Sequence, residues 1–485
     1  MMRPMQSLSL VATLLASLAS CSASPAQEAA AAPQDQNQNT MVRDVVILGG
    51  GSTGMYAAVQ LTKQGHSVAL VEKKNMLGGH AETLYLPNDA GHIDYGVEGY
   101  FNNQLTRDLF RLLNVDHEPL LPASFSTKHV NFRTGRAVAS NSNIFGILSG
   151  ALIYRAAIQR YDYLATGAYY LPDPVPEELL RPFREFVEKY HLNGALSAVF
   201  TFAENVGDLL GTPLLYVIQN FGIPQINALL EGGYIRPRNG TQELFRKAAA
   251  YIGEESNILY SSTVSHAVRS HDAATATATG DGLPVQLTVT NALSGKTTTI
   301  RAKKLLITYP PTLDSMKNFT LHPQESSLFA KWDTKAYYAA AITNTGLPDV
   351  NIANVDPANQ PGSLPLPPFQ WQLEYSGVPG YFMTKIVGSA NFTAQDARNL
   401  IRDDLRRMKD AGTFPTTDPD IAAFVSHSPE TLVVPVQEVR DGFYKKLYAL
   451  QGLQNTYYTG YTFCTDYSSV LWNYTASVLD MMHLS

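Results

Sequence analysis

Short apolar runs alternate with helix-like patterns along the chain, and the alternation is clearest near the N-terminus. Val45-Val46-Ile47-Leu48 is an unbroken apolar run rich in β-branched residues, which is typical of a buried parallel strand. From Met55 to Gln64 the apolar side chains have helical spacing, and Gly65 follows where a helix would end. His66 to Val71 is a second apolar strand. The pattern predicts a strand, a helix and a parallel strand, the repeating unit of an α/β fold.

The later part of the chain predicts two further kinds of structure. Residues 126–233 are mainly helical in pattern, and the apolar segment from Ile144 to Tyr154 is too short to span a bilayer. We interpret this segment as a buried helix of a second domain, with a helix that touches a membrane as the alternative. Residues 285–311 predict a hairpin and a buried strand, with the turn at Ser294-Gly295. Residues 313–430 predict strands at 337–343, 371–375 and 381–387 and a charged helix at 394–409.

The connection between the first strand and its helix has the spacing Gly49-x-Gly51-x-x-Gly54, and Glu72 ends the second strand. In such a unit the first glycine makes a tight turn, the second lets the backbone approach a pyrophosphate, and the third lets the helix pack on the strand. The helix N-terminus offers free N–H groups to phosphate oxygens. An acid about 20 residues further on can bind the ribose hydroxyls. The segment therefore predicts a dinucleotide-binding site.

A second pair of glycines, Gly78-Gly79, follows shortly after Glu72, where a plain NAD domain has no need of a bare backbone. With the Asp94-Tyr95-Gly96 turn, this order resembles the flavin-containing amine oxidase superfamily, which includes phytoene-desaturase-like enzymes. His80 stands where amine oxidases usually have an arginine, and here the chain looks closer to fungal secondary-metabolite flavoenzymes of the β-cyclopiazonate dehydrogenase type. The resemblance covers residues 43–102, 234–312 and 455–483.

The resemblance implies an α/β fold with a Rossmann-like FAD-binding domain of the glutathione-reductase type and an inserted α+β substrate-binding domain. The FAD-binding domain is expected to be discontinuous, and the two insertions would build the substrate domain over the flavin. The predicted organisation is a signal peptide at 1–24, a low-complexity tether at 25–42, the FAD-binding domain at 43–125, 234–312 and 431–485, and the substrate-binding domain at 126–233 and 313–430.

Carried over residue by residue, the resemblance implies a set of cofactor contacts. These are Gly49, Gly51, Ser52, Thr53, Gly54, Glu72, Lys73, Gly78, Gly79, His80, Tyr95, Gly96, Val264, Gly460, Ser469 and Val470. Val264 would bond the adenine through its backbone. Ser468 and Ser469 are N-cap candidates for the last helix, whose N-terminus would face the flavin or the diphosphate. FAD is expected to be bound non-covalently, because the chain has no cysteine where amine oxidases attach flavin covalently.

Neither a metal-ligand cluster nor a Ser–His–Asp arrangement stands out in the sequence, so the redox chemistry is expected to come from FAD. We expect a hydride to be removed from a small molecule, either an amine or a secondary metabolite, with oxidative ring closure as one outcome. Lys335 lies near the place where amine oxidases have a lysine that binds a water close to flavin N5, and strand alternation puts Tyr337 on the same face. A solvated lysine at the start of a strand is the alternative for Lys335.

Other function classes stay open beside an oxidase or dehydrogenase. A FAD-dependent desaturase, isomerase or mutase would work without net oxidation. An NADPH-dependent flavin monooxygenase would need a second dinucleotide site, and the sequence has no second Gly-x-Gly-x-x-Gly unit. The expected partners are the substrate and molecular oxygen or another electron acceptor. A net charge of −6 gives no sign of nucleic-acid binding, and the sequence leaves the oligomeric state open.

The N-terminus has the pattern of a secretory signal, with Arg3, an apolar stretch from Leu8 to Leu18, and small residues through Ser24. The protein is therefore expected to be secreted or to reside in the lumen of the secretory pathway. Leu18-Ala19-Ser20-Cys21 also fits a bacterial lipoprotein signal, which would anchor the chain through Cys21. Weak support for a secreted glycoprotein comes from the Asn-x-Thr sequences at Asn239, Asn318, Asn391 and Asn473.

The signal pattern predicts that the mature chain begins within a few residues of Ser24. N-terminal sequencing of the protein from its native source tests this expectation. An intact Met1 would contradict the signal peptide, and a diacylglycerol on Cys21 would establish the lipoprotein alternative.

Overall fold

The computed structural model describes residues 39–121, 125–139, 144–270 and 282–484. The predicted signal peptide, Cys21 and most of the predicted tether lie outside the described residues. The tether is predicted to extend to residue 42, but the first strand already begins at Asn39. Asn39 to Arg43 pair in parallel with Thr298 to Ala302 of a long neighbouring strand. The predicted boundary is therefore wrong, because residues 39–42 extend a sheet.

The described residues form the following strands and helices in chain order. The strands are β1 (Asn39–Leu48), β2 (Val68–Val71), β3 (Thr83–Tyr85), β4 (His92–Asp94), β5 (Tyr100–Phe101), β6 (His117–Leu120), β7 (Thr127–Asn131), β8 (Arg136–Ala137), β9 (Tyr234–Pro237), β10 (Ile258–Leu259), β11 (Ser262–Arg269), β12 (Val285–Asn291), β13 (Thr297–Ile307), β14 (Asp333–Thr343), β15 (Asn351–Asn354), β16 (Phe369–Gln370), β17 (Gln372–Tyr375), β18 (Phe382–Ser389), β19 (Asp420–Ser426), β20 (Glu430–Val433) and β21 (Thr456–Tyr458). The helices are α1 (Ser52–Lys63), α2 (Gln104–Leu112), α3 (Ile144–Ile158), α4 (Phe183–Tyr190), α5 (Leu196–Ala203), α6 (Leu214–Asn220), α7 (Ile223–Asn227), α8 (Gln242–Ile252), α9 (Glu254–Asn257), α10 (Pro323–Phe329), α11 (Ala394–Asp410), α12 (Val436–Arg440), α13 (Phe443–Tyr448) and α14 (Ser468–Met481).

The first sheet confirms the predicted Rossmann-like fold. Within the described ranges it has seven strands in the order β10-β2-β1-β13-β12-β11, with β21 beside β13. β1 pairs in parallel with β2 and β13, and Val45 to Leu48 at its centre are at most 2% exposed. α1 packs against α8 and α14. It is consequently buried on most sides, whereas its sequence pattern predicts a single apolar face.

The second sheet carries the strands predicted between residues 313 and 430. Over the described ranges it has nine strands, ordered β19-β14-β18-β17-β15-β7-β8, with β16 beside β18 and β20 beside β14. β14, β17 and β18 and the helix α11 match the predicted elements to within a few residues. The prediction that residues 126–233 are helical is wrong at its start, because β7 and β8 form a hairpin that joins this sheet through β15. The short, polar strands carry little apolar alternation that would reveal them.

Helices α3 to α7 form the remaining part of the second domain. α3 confirms that the apolar segment after Ile144 is a helix, with Tyr154 and Ile158 fully buried. Leu152 and Ile153 on the same helix are 54% and 49% exposed. Among the described residues, no helix combines the length and the apolar character that crossing a membrane requires.

The predicted domain boundaries remain a prediction, although the sheets follow the predicted segments closely. The strands of the first sheet lie in residues 39–71, 258–307 and 456–458. β20 crosses the predicted boundary at residue 430 and pairs with β14 of the second sheet. A three-stranded sheet, β5-β9-β6, lies where the chain passes between the two parts.

A buried ion pair fastens the edge of the first sheet. Both terminal nitrogens of Arg269 on β11 donate to the two carboxylate oxygens of Glu325 on α10 at 2.8 Å. The two side chains are 1% and 0% exposed, and the hydroxyl of Tyr458 on β21 also donates to Glu325. Burial opposes the charge of Glu325, but its hydrogen bonds and the charge of Arg269 outweigh burial and lower the pKa of the carboxyl. The pair links three elements that are distant in sequence.

Replacement of Arg269 with Met should lower the free energy of unfolding by about 3–5 kcal/mol, because it leaves a buried carboxylate without its partner. Urea unfolding followed by circular dichroism measures the change. Arg440→Met is the matched control, since Arg440 pairs with Glu177 at the exposed surface, and it should leave the unfolding midpoint nearly unchanged. Equal midpoints for both variants would contradict the structural role of the buried pair.

Candidate active site

The first glycine loop joins β1 to α1, and its glycines are required by close packing. Gly49 has a φ of +105°, and a Cβ atom on it would lie 2.6 Å from Thr308 Oγ1. A Cβ atom on Gly54 would lie 1.9 Å from the carbonyl oxygen of Gly49. Ser52 and Thr53 form the first turn of α1. The first N–H groups of a helix have no partner within it, so they are available to an anion beside this loop.

The second glycine loop packs directly on the first. A Cβ atom on Gly79, whose φ is +61°, would lie 2.7 Å from the Cα atom of Gly51. The N–H group of Gly78 donates to the carbonyl oxygen of Gly50 at 3.0 Å. The two loops therefore meet backbone to backbone, which is a physical reason for the second glycine pair in the sequence.

Glu72, the acid predicted to bind the ribose hydroxyls, lies at the end of β2 and contacts the first glycine loop. It is 6% exposed, and its carboxylate accepts hydrogen bonds from the N–H groups of Gly50 at 2.6 Å and Lys74 at 2.8 Å. Lys73, a predicted cofactor contact, is exposed. The ammonium that reaches the glycine loops belongs to Lys74, whose Nζ donates to the carbonyl oxygen of Gly79 at 3.0 Å.

The N-termini of α1 and α14 meet at two serines. Ser52 Oγ donates to Ser468 Oγ at 2.9 Å, and Trp472 Nε1 on α14 donates to Ser52 Oγ at 2.9 Å. Each helix end has a partial positive charge from its aligned peptide dipoles. Two such ends at one place favour the binding of an anionic group such as a diphosphate.

The prediction that Ser468 and Ser469 cap α14 is wrong. Tyr467 occupies the N-cap position, and no side chain caps this helix. Ser469 is 1% exposed and shares a hydrogen bond with Thr106 Oγ1 at 2.7 Å. Val470, another predicted contact, donates its N–H to the carbonyl oxygen of Tyr467 at 3.0 Å. Through Ser468, the start of α14 contacts Ser52 beside the first glycine loop.

The Asp94-Tyr95-Gly96 turn supports the second glycine loop from outside. A Cβ atom on Gly96 would lie 2.1 Å from the carbonyl oxygen of His80. Asp94 Oδ1 accepts a hydrogen bond from the N–H group of Thr241, just before α8, at 2.9 Å. Tyr95 is 8% exposed and packs against alanines of β14. The turn therefore contacts both the cofactor loops and the second sheet.

The remaining two predicted cofactor contacts lie at the edges of the first sheet. Val264 is half-buried on β11, and its carbonyl oxygen accepts a hydrogen bond from Asn318 Nδ2 at 2.7 Å. Gly460 has a φ of +113°, and a Cβ atom on it would lie 2.7 Å from the carbonyl oxygen of Thr308. Thr308 thus limits the space at both Gly49 and Gly460, the turns that follow β1 and β21.

The two predicted catalytic residues lie on β14, in different surroundings. Tyr337 is 9% exposed, its hydroxyl donates to Glu204 Oε1 at 3.0 Å, and its ring stacks on His427 at 6.0 Å. Lys335 is half-buried near Gly207. The structure joins Tyr337 to a cluster of polar side chains and leaves Lys335 at the start of the strand.

A different lysine, Lys385 on β18, enters this cluster. It lies directly opposite Ala339 of β14, which places it on the same face as Tyr337. Its Nζ lies 3.6 Å from Glu98 Oε1 and 3.8 Å from Glu204 Oε1. Burial opposes its charge, but the neighbouring carboxylates, with Glu204 first, outweigh burial and raise the pKa of Lys385. The ammonium therefore stays charged inside the protein.

His80, next to the second glycine loop, belongs to a stack of rings. Its imidazole lies 4.1 Å from that of His427 at an angle of 16°, and its Nδ1 lies 3.9 Å from Glu430 Oε2. Burial, with Lys74 and Lys73 nearby, lowers the pKa of His80 to about 4. Burial also lowers the pKa of His427 and raises that of Glu430, in both cases well away from the ordinary value. Burial therefore favours the uncharged form of all three groups.

A small pocket adjoins this cluster and is lined by Glu430 and Asp466, among others; we call it the central cavity. Among the described residues in and beside it, the carboxyl groups of Glu98, Glu204, Glu430 and Asp466 outnumber the ammonium of Lys385. Burial raises the pKa of each acid, to about 7 for Glu98 and to about 6 for Asp466. The cavity and its surroundings are thus rich in carboxyl groups, and a cation entering the cavity would favour their ionised form.

Several members of this cluster have no motif in the sequence. Glu98 and Asp466 have the best local signals, because Glu98 follows the predicted Gly96 turn and Asp466 immediately precedes the predicted last helix. Glu204 lies in the first predicted insertion and Lys385 and Glu430 lie in the second, and no spacing in the sequence relates them.

Comparison with known proteins agrees with this geometry. Residues 47–114 match the family model described as a NAD(P)-binding Rossmann-like domain. The chain is 41% identical to beta-cyclopiazonate dehydrogenase of Aspergillus oryzae over 92% of this chain and 94% of that protein. It is 33% identical to the FAD-dependent oxidoreductase oblC of Cochliobolus heterostrophus, with 96% and 97% of the two chains covered.

Solved structures share the whole fold. A fatty acid isomerase from P. acnes that produces CLA matches with a TM-score of 0.69 at 16% identity, over 91% of this chain and 99% of the other. A putrescine oxidase with putrescine bound matches with a TM-score of 0.59 at 13% identity, over 92% and 100%. These structures establish the fold, and the 41% and 33% identities over almost complete chains establish the relationship. The chain belongs to the family of FAD-dependent oxidoreductases that includes beta-cyclopiazonate dehydrogenase.

Proposed function

We propose that the protein is a FAD-dependent oxidoreductase of secondary metabolism that removes a hydride from an amine-bearing small molecule. We infer the substrate class from the acidic central cavity. We infer the cofactor from the glycine loops, Glu72 and the paired helix ends.

The residues at the glycine loops fit FAD. A Cβ atom on Gly51 would contact only the Cα atom of Gly79, at 3.5 Å, so this backbone is open to a close approach, and the helix ends at Ser52 and Ser468 are suited to a diphosphate. Glu72 would bind the ribose, and Lys74 adds a positive charge beside the loops. We propose the other predicted contacts as further parts of this site. When bound, FAD supplies the two-electron chemistry by accepting a hydride from the substrate carbon.

Non-covalent binding of FAD is also proposed. Cys464 is fully buried, and burial raises the pKa of its thiol above the ordinary value. A protonated, enclosed thiol is a poor nucleophile for attachment to the flavin ring.

The substrate class follows from the charges in the central cavity. Buried carboxylates carry a desolvation cost, which Lys385 offsets only in part and which the raised pKa values of Glu98, Glu204 and Asp466 express. A protonated amine would relieve that cost by pairing with them. The stacked rings of His80, His427 and Tyr337 would orient an aromatic or conjugated part of the same molecule.

Three finer points complete the proposal. Oxygen or another two-electron acceptor would reoxidise the flavin. Loss of hydride leaves an electrophilic carbon, which an internal nucleophile could capture to close a ring, and the enclosed cavity would favour this by excluding water. The N-terminal pattern supports secretion of the enzyme and leaves Asn-linked glycosylation as part of the same proposal.

Gly79→Ala should abolish the yellow FAD complex, because the added Cβ would lie 2.7 Å from Gly51 Cα and would separate the two loops. Gly412→Ala is the matched control, since Gly412 also has a positive φ, +70°, but has open space around it. The control should cost about 1 kcal/mol of stability from backbone strain and should keep FAD. Absorbance at the flavin band after desalting, with release of FAD on heating, measures both variants. Loss of FAD in neither variant would contradict the assigned loop.

Anaerobic mixing with putrescine, β-cyclopiazonate, other amines and polyenes should identify a compound that bleaches the flavin band, and NADPH should not bleach it. A primary isotope effect with substrate deuterated at the reacting carbon would support hydride transfer. Product formed without flavin reduction at any stage would move the enzyme to the isomerase class.

Glu204→Gln should weaken the binding of a cationic amine about 10- to 100-fold, because one charged partner is lost. Glu188→Gln changes an exposed glutamate and serves as the matched control. Unchanged amine affinity in the Glu204 variant would contradict the proposed substrate class.

A further inference from the structure

Asp466 lies between the central cavity, which it lines, and the N-terminus of α14. It lies two residues before α14, and it is exposed although Cys464 and Thr465 before it are buried. Ser468, two positions further on, contacts Ser52 of the first glycine loop.

The central cavity is small, and some of the buried polar groups that line it lack hydrogen-bond partners. Asn205, Gln219, Glu430 and Tyr461 line it together with Asp466. Glu430 is 3% exposed and Asn205 is 9% exposed. Neither Glu430 Oε2 nor Asn205 Oδ1 has a hydrogen-bond partner in the described part of the chain. Buried polar atoms rarely stay unpaired, so the pocket is built to receive a group that forms hydrogen bonds.

The other acids of the cavity are already engaged. Glu204 accepts the hydroxyl of Tyr337, and Glu98 lies 3.6 Å from the ammonium of Lys385. Glu430 is enclosed behind His80. Across the described ranges, Asp466 has neither an ion pair nor a side-chain hydrogen bond to another residue. Asp466 is therefore the acid of the cluster whose carboxylate has no protein partner to release before it meets a substrate.

We propose that Asp466 is the proton acceptor of the reaction, an inference that rests on the proposed oxidation. The substrate C–H bond breaks, and its hydrogen leaves with both electrons to FAD. The adjacent N–H or O–H bond breaks, its electron pair forms the new C=N or C=O bond, and its proton passes to the Asp466 carboxylate. A two-electron acceptor such as dioxygen later takes the electrons from the flavin. Glu430 and Asn205 line the same pocket as Asp466.

The charge state of Asp466 suits this role. Burial and Glu204 raise its pKa to about 6, and Lys385 opposes the rise. Above that pH the carboxylate is the main form and can accept a proton. The titratable and charged side chains that face it are Glu204, Lys385, Glu430, Tyr169, Tyr337, Tyr461, Cys464 and Tyr467.

The first test needs no substrate and uses bound FAD as the probe. A charge that titrates beside the flavin shifts its visible absorbance, so a titration from about pH 5 to 8 should show a transition near pH 6 in the wild type. Asp466→Asn should lose the transition, Asp466→Glu should shift it, and Asp314→Asn, which alters a side chain that is 89% exposed, should keep it. A wild type without the transition, or Asp466→Asn with it unchanged, would overturn the proposal.

The second test measures anaerobic flavin reduction by putrescine or β-cyclopiazonate, whichever bleaches the wild type. The wild-type rate should rise as pH increases through about 6 and then level off. Asp466→Asn should lower the plateau rate about 10²- to 10⁴-fold, the usual contribution of a general base, while Asp466→Glu retains part of it. FAD content and melting temperature are measured first to exclude misfolding. If Asp466→Asn loses FAD, the absorbance titration of the wild type and of Asp466→Glu tests the proposal instead. Rapid reduction in Asp466→Asn would sink the inference and leave the oxidoreductase function standing, whereas a wild type that no compound reduces would count against the function itself.

Discussion

The contact between two stretches of bare backbone, at Gly51 and Gly79, is the constraint on which the site depends. Since neither residue has a side chain, the loops after β1 and β2 meet at van der Waals distance. This contact fixes the carboxylate of Glu72 against the N–H group of Gly50. It also sets the direction in which the chain continues through His80 towards the ring of His427. One close approach thus relates the glycine loops to the stacked rings of His80 and His427.

The acidic cluster contacts the second sheet through Tyr337 on β14 and Lys385 on β18. Carboxyl groups in an enclosed space raise their own pKa values because the charged form loses water. Lys385 compensates part of this charge between Glu98 and Glu204, and its ammonium lies 5.1 Å above the ring of Trp371. Such a cluster stabilises the fold little, since desolvation offsets much of the attraction. Its persistence inside the protein is better explained by chemistry on a ligand than by stability.

Sequence reasoning succeeded for the fold where the physical cause is local. Strand, glycine turn, helix and second strand follow each other within one short stretch, so this unit could be predicted from spacing alone. Lys385 could not, because its importance arises from β18 lying opposite β14, a pairing between distant segments. The caps at Ser468 and Ser469 were mispredicted because a cap depends on backbone angles at Tyr467 as well as on residue type. Asn39 was missed because its pairing partner lies more than 250 residues away on β13.

The meeting of α1 and α14 has a consequence for the order in which the protein matures. Ser468 and Trp472, which hydrogen-bond with Ser52, lie 416 and 420 residues after it in the chain. Domains generally fold as units while the chain emerges from its N-terminal end. Here the first sheet contains both β1 and β21, the strands that precede these two helices. The two helix ends therefore meet only after the chain has been synthesised past Trp472, long after β1 and α1 have emerged.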